Sequence, residues 1–331
     1  IDFTNDTKGH LLLEPQSTNV LENSEITSTW TYTEYGPGSA GTITTGKTDM
    51  FGGTNAVQID FPTDVENVTL TFGQTGSSIS SGSVSGSIYI KLVESGSKTL
   101  QLRCSSGLTS SINVDSTNFV RYELLGTKDS SEAFSLKLRP SAGTSSGGFS
   151  IIVCHPQEEA LSYATSYIPT SGSTVTRNAE VCNNSGSAQD FNSTEGVLYC
   201  EAATLVDPTS VMIIGLSDGT AANRISITFH STLNRLQVFA QKNSSQLFNI
   251  DTTSISKTNF NKIAISYSST SAKLFVNGTL AASATPSDMF NPNTLDRVNF
   301  DIGSGANDFY GKVRDLQTFN TALTDQELKD L

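Results

Sequence analysis

Short stretches in which apolar and polar side chains take turns recur along most of this chain, and that period of two constrains its fold more than any other feature. In Val84-Ser85-Gly86-Ser87-Ile88-Tyr89-Ile90-Lys91-Leu92, successive side chains point to opposite faces, one toward a core and one toward solvent. The spacing returns at Thr29–Tyr35, Ala56–Phe61, Val68–Phe72, Ser83–Val93, Thr99–Cys104, Phe119–Leu125, Phe134–Leu138 and Phe149–Cys154. Strands this short, separated by turns, make a jelly-roll sandwich the economical architecture for the first half. A second series follows at Gly196–Ala203, Val211–Ser217, Arg224–Phe229, Arg235–Gln241, Phe248–Asp251, Asn261–Ser268, Ala272–Val276, Asp296–Ile302 and Gly311–Phe319. The chain is therefore expected to be all-β, two tandem antiparallel β-sandwiches.

Between the two series lies Ala164–Ala179. Ile168 precedes Pro169 and is pushed out of the α region, Gly172 marks a turn, and Val175–Arg177 reads as another extended piece. Tyr167 and Ile168 are expected to be buried. The polar run Asn183-Asn184-Ser185-Gly186-Ser187 has the composition of a linker. At the other end, Leu11-Leu12-Leu13 is stopped by Pro15, which suits an edge strand or docking arm. The expected division is an arm over 1–20, a first sandwich over 21–182, a linker over 183–189 and a second sandwich over 190–331. Two local signals refine the second sandwich. Asn277-Gly278 predicts a two-residue hairpin, and Thr324-Asp325-Gln326-Glu327 predicts a capping box that opens a short terminal helix.

Composition bounds the function. With 331 residues, each of two domains can bury its own core, and a charged fraction of 16% with abundant Ser, Thr, Gly and Asn favours strands and turns. A net charge of -12 argues against a nucleic-acid-binding surface. No apolar run is long enough for a membrane helix. The start at Ile1, without a charged-then-apolar leader, reads as a processed chain or a fragment. Cys104, Cys154, Cys182 and Cys200 form no C-x-x-C pair, and with only three His a zinc site is disfavoured. Free buried thiols are expected, with one disulfide as the alternative. His10, His155 and His230 stand in no ligand or triad spacing, so structural roles are expected.

Lys273–Gly278 and the run Phe309–Leu328, which includes Tyr310-Gly311-Lys312-Val313 and Leu323-Thr324-Asp325-Gln326-Glu327, resemble the laminin-G-like members of the concanavalin A-like lectin/glucanase superfamily over about residues 190 to 331. The resemblance implies a curved two-sheet sandwich. Members bind glycans or proteins and some hold calcium, while the superfamily's hydrolases carry a Glu-x-Asp-x-x-Glu strand motif that is absent here. Leu11–Asn19, Trp30 and Ala164–Ala179 together resemble a module of bacteriophage head and tail fibre proteins, covering about residues 9 to 182, in which two motifs bracket a sandwich similar to carbohydrate-binding modules. This implies a virion surface protein that binds rather than catalyses. The expected partners are a host surface polysaccharide or glycan and other virion proteins, in a homo-oligomer with a trimer favoured. The alternatives are the glycan-binding region of a secreted polysaccharide-degrading enzyme, or a purely architectural virion protein.

Glycan binding requires an aromatic platform beside planar polar groups. Trp30, Tyr32 and Tyr35 are the candidates in the first sandwich, since Trp30 and Tyr32 share a strand face; the competing reading makes Trp30 core. In the second, Asp218, Asn223 and Arg224 form a polar loop that suits a ligand or equally a plain hairpin turn. No cofactor is required by the sequence. Calcium near Asp218, or near Asp308 in the Gly305–Asp308 loop, is the metal reading to be weighed. Asn-x-Ser/Thr triplets at Asn67, Asn192 and Asn277 are expected by chance in so Ser/Thr-rich a chain.

Overall fold

The computed structural model describes residues 2, 7–34, 41–62, 68–74, 76–138, 148–232 and 234–331, which fall into two compact units: Gln16–Asn178, and Ile1–Pro15 with Ala179–Leu331. Tyr35 and Asn67 lie outside the described residues. This division corrects the expected boundaries. The arm is shared out: Leu11–Leu13 pairs with Gly311–Phe319 in one unit, and Ser17–Asn19 pairs with Val175–Arg177 in the other. Pro15, which has no N–H to donate, stands between the two ladders. The polar run at 183–187 is no linker either, because Ser185 bridges Val298 in both directions, at 3.2 and 2.8 Å.

The Gln16–Asn178 unit is a sandwich of two five-stranded antiparallel sheets. One runs in the order Val120–Lys128, Gly82–Leu92, Phe149–Glu159, Ala56–Phe61, Thr42–Lys47, and the other Thr31–Glu34, Val68–Thr71, Ser135–Leu138, Lys98–Arg103, Thr109–Val114. A single core joins them, with Val57, Ile59, Ile88 and Val153 from the first sheet against Leu70, Leu100 and Leu136 from the second. Gly86 sits on that core side because a Cβ there would lie 2.4 Å from the Phe134 ring.

The two motifs of the expected bracket meet in this unit. The Ser17–Asn19 to Val175–Arg177 ladder closes it, and the buried Asn19 side chain donates to Ile168 O (2.9 Å) while accepting from Leu21 N (3.1 Å) and Glu158 N (3.2 Å). Thr170 continues the seam, donating from Oγ1 to Leu21 O at 2.6 Å. Ile168 is buried, while Tyr167 is only partly so.

In the other unit a six-stranded sheet, Leu11–Leu13, Gly311–Phe319, Gly196–Thr204, Asn261–Tyr267, Ala272–Val276, Thr279–Ala284, covers a five-stranded one, Ser245–Thr252, Leu236–Lys242, Arg224–Phe229, Met212–Ser217, Arg297–Asn299. Leu198, Ile265 and Leu274 meet Ile214, Ile227 and Val238 in one core. The predicted hairpin is present, Asn277 and Gly278 both having the positive φ (50° and 73°) that its tight turn demands. So is the terminal helix, Asp325–Asp330, with Glu327 N donating to Thr324 Oγ1 and Thr324 N donating to Glu327 Oε2. All four cysteines are free, and burial pushes the Cys154 and Cys200 thiols up to about 12. Among the described residues no helix is long and apolar enough to cross a membrane.

Candidate functional site

The best-built site lies on the outward face of the sheet that contains Gly82–Leu92. Because Ile88, Ile90 and Leu92 enter the core, Tyr89 and Lys91 face away from it. The register puts Arg121, Tyr89, Cys154 and Ala56 in one row across four strands, and Lys91, Ile152 and Gln58 in the next. Cys154 and Ala56 are small and buried, which leaves room for a loop to lie over them.

That loop is held by Asp49. Its carboxylate accepts the backbone N–H groups of Phe51 (2.8 Å), Gly53 (3.0 Å) and Asn55 (3.2 Å), an Asx-type turn wound on itself. The turn presents Phe51, which remains 66% exposed despite being a large apolar ring. Its ring centroid lies 5.0 Å from His155, 6.2 Å from Tyr89 and 6.3 Å from Tyr167, the last in a stacked geometry. An aromatic cluster with one exposed member therefore lies over the sheet, its exposed ring carried on a turn held by three hydrogen bonds.

His155, isolated in the sequence, is anything but isolated here. The register of Phe149–Glu159 shifts after Cys154, and His155 takes a φ of 53° in that bulge, which turns its ring toward the loop. Its Nδ1 lies 2.9 Å from Glu25 Oε1 and its Nε2 3.6 Å from Asp49 Oδ1. The Tyr167 hydroxyl donates to the same Glu25 oxygen and lies 2.7 Å from Ser24 Oγ. Burial opposes ionisation of Glu25, but hydrogen bonds from His155 and Tyr167, the charge of His155 and a bond from Asn55 outweigh it and hold the carboxyl below its ordinary value. Asp49 is likewise lowered, burial being overcome by its three backbone donors and by His155.

A pH dependence follows. A carboxylate whose pKa is depressed on folding contributes stability that is present above its unfolded value and lost as pH falls through its folded value. The ordinary values here are 4.5 and 3.8, so the loss begins below about pH 4.5. Thermal unfolding measured between pH 7 and pH 3 should show Glu25→Gln less stable than wild type at neutral pH, with the gap narrowing as the pH drops below 4.5. A constant gap would contradict the assignment.

The residues singled out from sequence fall elsewhere. Trp30 and Tyr32 do share a face, but it is the inward one: Trp30 is 6% exposed, its Nε1–H donates to Asn23 O at 2.8 Å, and its ring meets Phe72 edge-on at 5.1 Å. With its faces covered, Trp30 offers no platform to a sugar. Tyr32 packs against the same core, 6.3 Å from Phe61. Asp218, Asn223 and Arg224 do come together, in the turn joining Met212–Ser217 to Arg224–Phe229. Asp218 spends both oxygens within that turn, one accepting from Thr220 N (2.9 Å) and Oγ1 (2.6 Å), the other from Asn223 Nδ2 (2.8 Å). Arg224 lies with its guanidinium 5.2 Å from the Phe239 ring and donates to Ala221 O; burial lowers its pKa. Asp308 accepts from the Tyr310 hydroxyl at 3.3 Å. Among the described residues no three His, Cys, Asp or Glu side chains gather into a group that could hold a metal ion. Phe51, Tyr89, Arg121 and Tyr167 were missed by sequence reasoning. The available signal was Phe51 beside Gly52-Gly53, an aromatic ring in a turn where none is needed for a core.

Known proteins resemble parts of the chain. The IT-sialidase CBM40 of Ruminococcus gnavus, solved bound to alpha2,3 sialyllactose, is 15% identical, with 46% of this chain and 94% of that one covered and a TM-score of 0.38. The native heptameric SAP-like pentraxin of Limulus polyphemus is 14% identical, with 44% and 72% covered and a TM-score of 0.36. Domains LG4-5 of the mouse laminin alpha1 chain are 12% identical, with 86% and 92% covered and a TM-score of 0.31. No curated protein matches the sequence. Residues 202–329 match a family model described as the concanavalin A-like lectin/glucanases superfamily, and the two-sheet sandwich of this unit is the fold that such a match implies.

Proposed function

We propose that this chain is a non-catalytic glycan-binding protein of a phage virion surface, part of a head or tail fibre, that attaches the particle to host surface polysaccharide. The observation that carries the binding is the Phe51 cluster. A large apolar ring held 66% exposed by a dedicated turn, with Tyr89 beside it and Arg121 across the strand, has the two elements a sugar site needs: a flat surface for C–H groups and planar donors for hydroxyls. The fibre setting is supported by the likeness of Leu11–Asn19 and Ala164–Ala179 to paired phage motifs. Virion proteins would be its neighbours and a homo-oligomer, a trimer by preference, its working form, because repeated weak sites gain avidity from high effective concentration. The match of residues 202–329 to a superfamily of lectins and glucanases favours a second reading, the glycan-binding region of a secreted polysaccharide-degrading enzyme.

Phe51→Ala is expected to weaken binding to purified host envelope polysaccharide by at least about tenfold, the loss of an aromatic hot spot. Because Phe51 is mostly exposed, the unfolding midpoint should hardly change. Full binding by the variant, measured by calorimetry or biolayer interferometry, would remove the site from the proposal. Electron cryomicroscopy of particles tests the setting. Density for the chain on the virion supports the first reading, whereas a chain joined to a hydrolase or lyase and found only in the medium supports the second.

A further inference from the structure

We infer that the Phe51 face selects acidic glycans, polysaccharides whose sugar residues carry carboxylates, through Arg121 and Lys91; this rests on the glycan-binding reading above. In a chain of net charge -12, an uncompensated pair of cations on one sheet face is unexpected. Arg121 is the cross-strand partner of Tyr89, and Lys91 follows Tyr89 by two residues on the same face, about 7 Å along the strand. The two cations therefore flank the aromatic platform. Among the described residues neither makes an ion pair. Arg121 Nη2 donates to Ser87 Oγ (2.8 Å) and Thr165 O (2.6 Å), both uncharged acceptors that fix the guanidinium without neutralising it. Its Nε is buried with no hydrogen-bond partner. Lys91 Nζ rests 4.6 Å from the Phe119 ring centroid, a contact that leaves its N–H donors available.

The carboxylates nearby are occupied elsewhere. Glu25 is taken up by His155, Tyr167 and Asn55, and Asp49 by three backbone N–H groups. Asp60 accepts from Ser150 Oγ (2.6 Å), Gln58 Nε2 (2.7 Å) and Thr42 Oγ1 (3.1 Å). Glu159 is taken up by Ser17, Gln157 and Thr165, and the exposed Glu123, two residues beyond Arg121, makes no ion pair with it among the described residues. With Nη2 spent on neutral acceptors and Nε buried, Nη1 is the nitrogen left to donate a charge-assisted hydrogen bond to a carboxylate.

The test uses a panel of bacterial acidic polysaccharides, each paired with its carboxyl-reduced form, and the whole chain as wild type, Lys91→Gln and Arg121→Gln, with thermal unfolding run on each. Wild type should prefer the acidic member of a pair by about tenfold. Lys91→Gln should lower that affinity about threefold to fivefold and leave the reduced form's unchanged, with added salt narrowing the preference. Equal binding of acidic and reduced forms would overturn the inference and leave the glycan reading standing. An acidic preference untouched by both substitutions would overturn the assignment to this face. Binding of no member by wild type would overturn both readings. Should Arg121→Gln fail to fold, Lys91→Gln decides alone.

Discussion

Glu158→Ala is expected to destabilise the Gln16–Asn178 unit by about 3–5 kcal/mol, the loss found when one partner of a buried ion pair is removed. The side chains of Lys128 and Glu158 are both 0% exposed, and Nζ and Oε1 lie 2.5 Å apart. Glu158 also accepts from Ser77 Oγ and from the Phe134 backbone N–H, each at 3.0 Å. Truncating it therefore strands a buried ammonium and two further donors at once. Lys128→Met should be comparably damaging, because it strands the carboxylate. The double variant Lys128→Met/Glu158→Leu should recover part of the loss, since apolar replacement of a buried pair is often close to neutral, although the Ser77 and Phe134 donors stay unmet. The chain carries one Trp, and Trp30 is buried in this unit's core, so its fluorescence in a urea titration reports on this unit by itself. A loss under about 1 kcal/mol for either single variant would show that the pair is relieved by water or by rearrangement.

What was legible in the sequence, and what was not, follows from how local each signal is. Alternation in Val84–Leu92 shows the strand and its inward face, because both depend on neighbours two residues away. Asn277-Gly278 and Thr324–Glu327 are equally local, and the structure has the turn and the cap at those positions. Thr42–Lys47 and Thr109–Val114 were not seen as strands. Both are edge strands: Thr42–Lys47 has mostly exposed side chains, and Thr109–Val114 opens on Thr-Ser-Ser and sends only Ile112 and Val114 into the core, too short an alternation to stand out. The Phe51 cluster was beyond reach for a different reason: Glu25, Asp49, Tyr89, His155 and Tyr167 come from five separate segments, and only the sheet register and the bulge at His155 bring them together. Trp30 is ambiguous for another reason: spacing puts Trp30 and Tyr32 on one face opposite Thr31 and Thr33, but an aromatic face reads equally as core or as an exposed platform.

Asn19→Ala should destabilise the same unit by about 2–4 kcal/mol, although Asn19 touches no candidate ligand residue and sits in a strand of only three residues. Asn19 is 0% exposed, and its one amide group serves Ile168 O of the second motif, Leu21 N just beyond the first, and Glu158 N of the long strand Phe149–Glu159. No alanine can meet any of the three, and water has no ready route to them. The neighbouring pair Thr18–Thr176, joined hydroxyl to hydroxyl at 2.7 Å on the exposed side of the same ladder, is the internal control: Thr18→Ala should cost under about 0.5 kcal/mol. Asn19→Asp divides the contributions further, since it keeps the acceptor for Leu21 and Glu158 but loses the donor to Ile168 and places a third acid near the buried Glu158 and Glu159. Its loss should equal or exceed that of alanine at pH 7 and shrink as the new carboxyl is protonated. If Asn19→Ala proved no worse than Thr18→Ala by Trp30 fluorescence, the paired motifs would be two coincidentally adjacent segments. If the ordering holds, the two segments are joined for a physical reason: each supplies hydrogen-bonding groups that are costly to bury without the other.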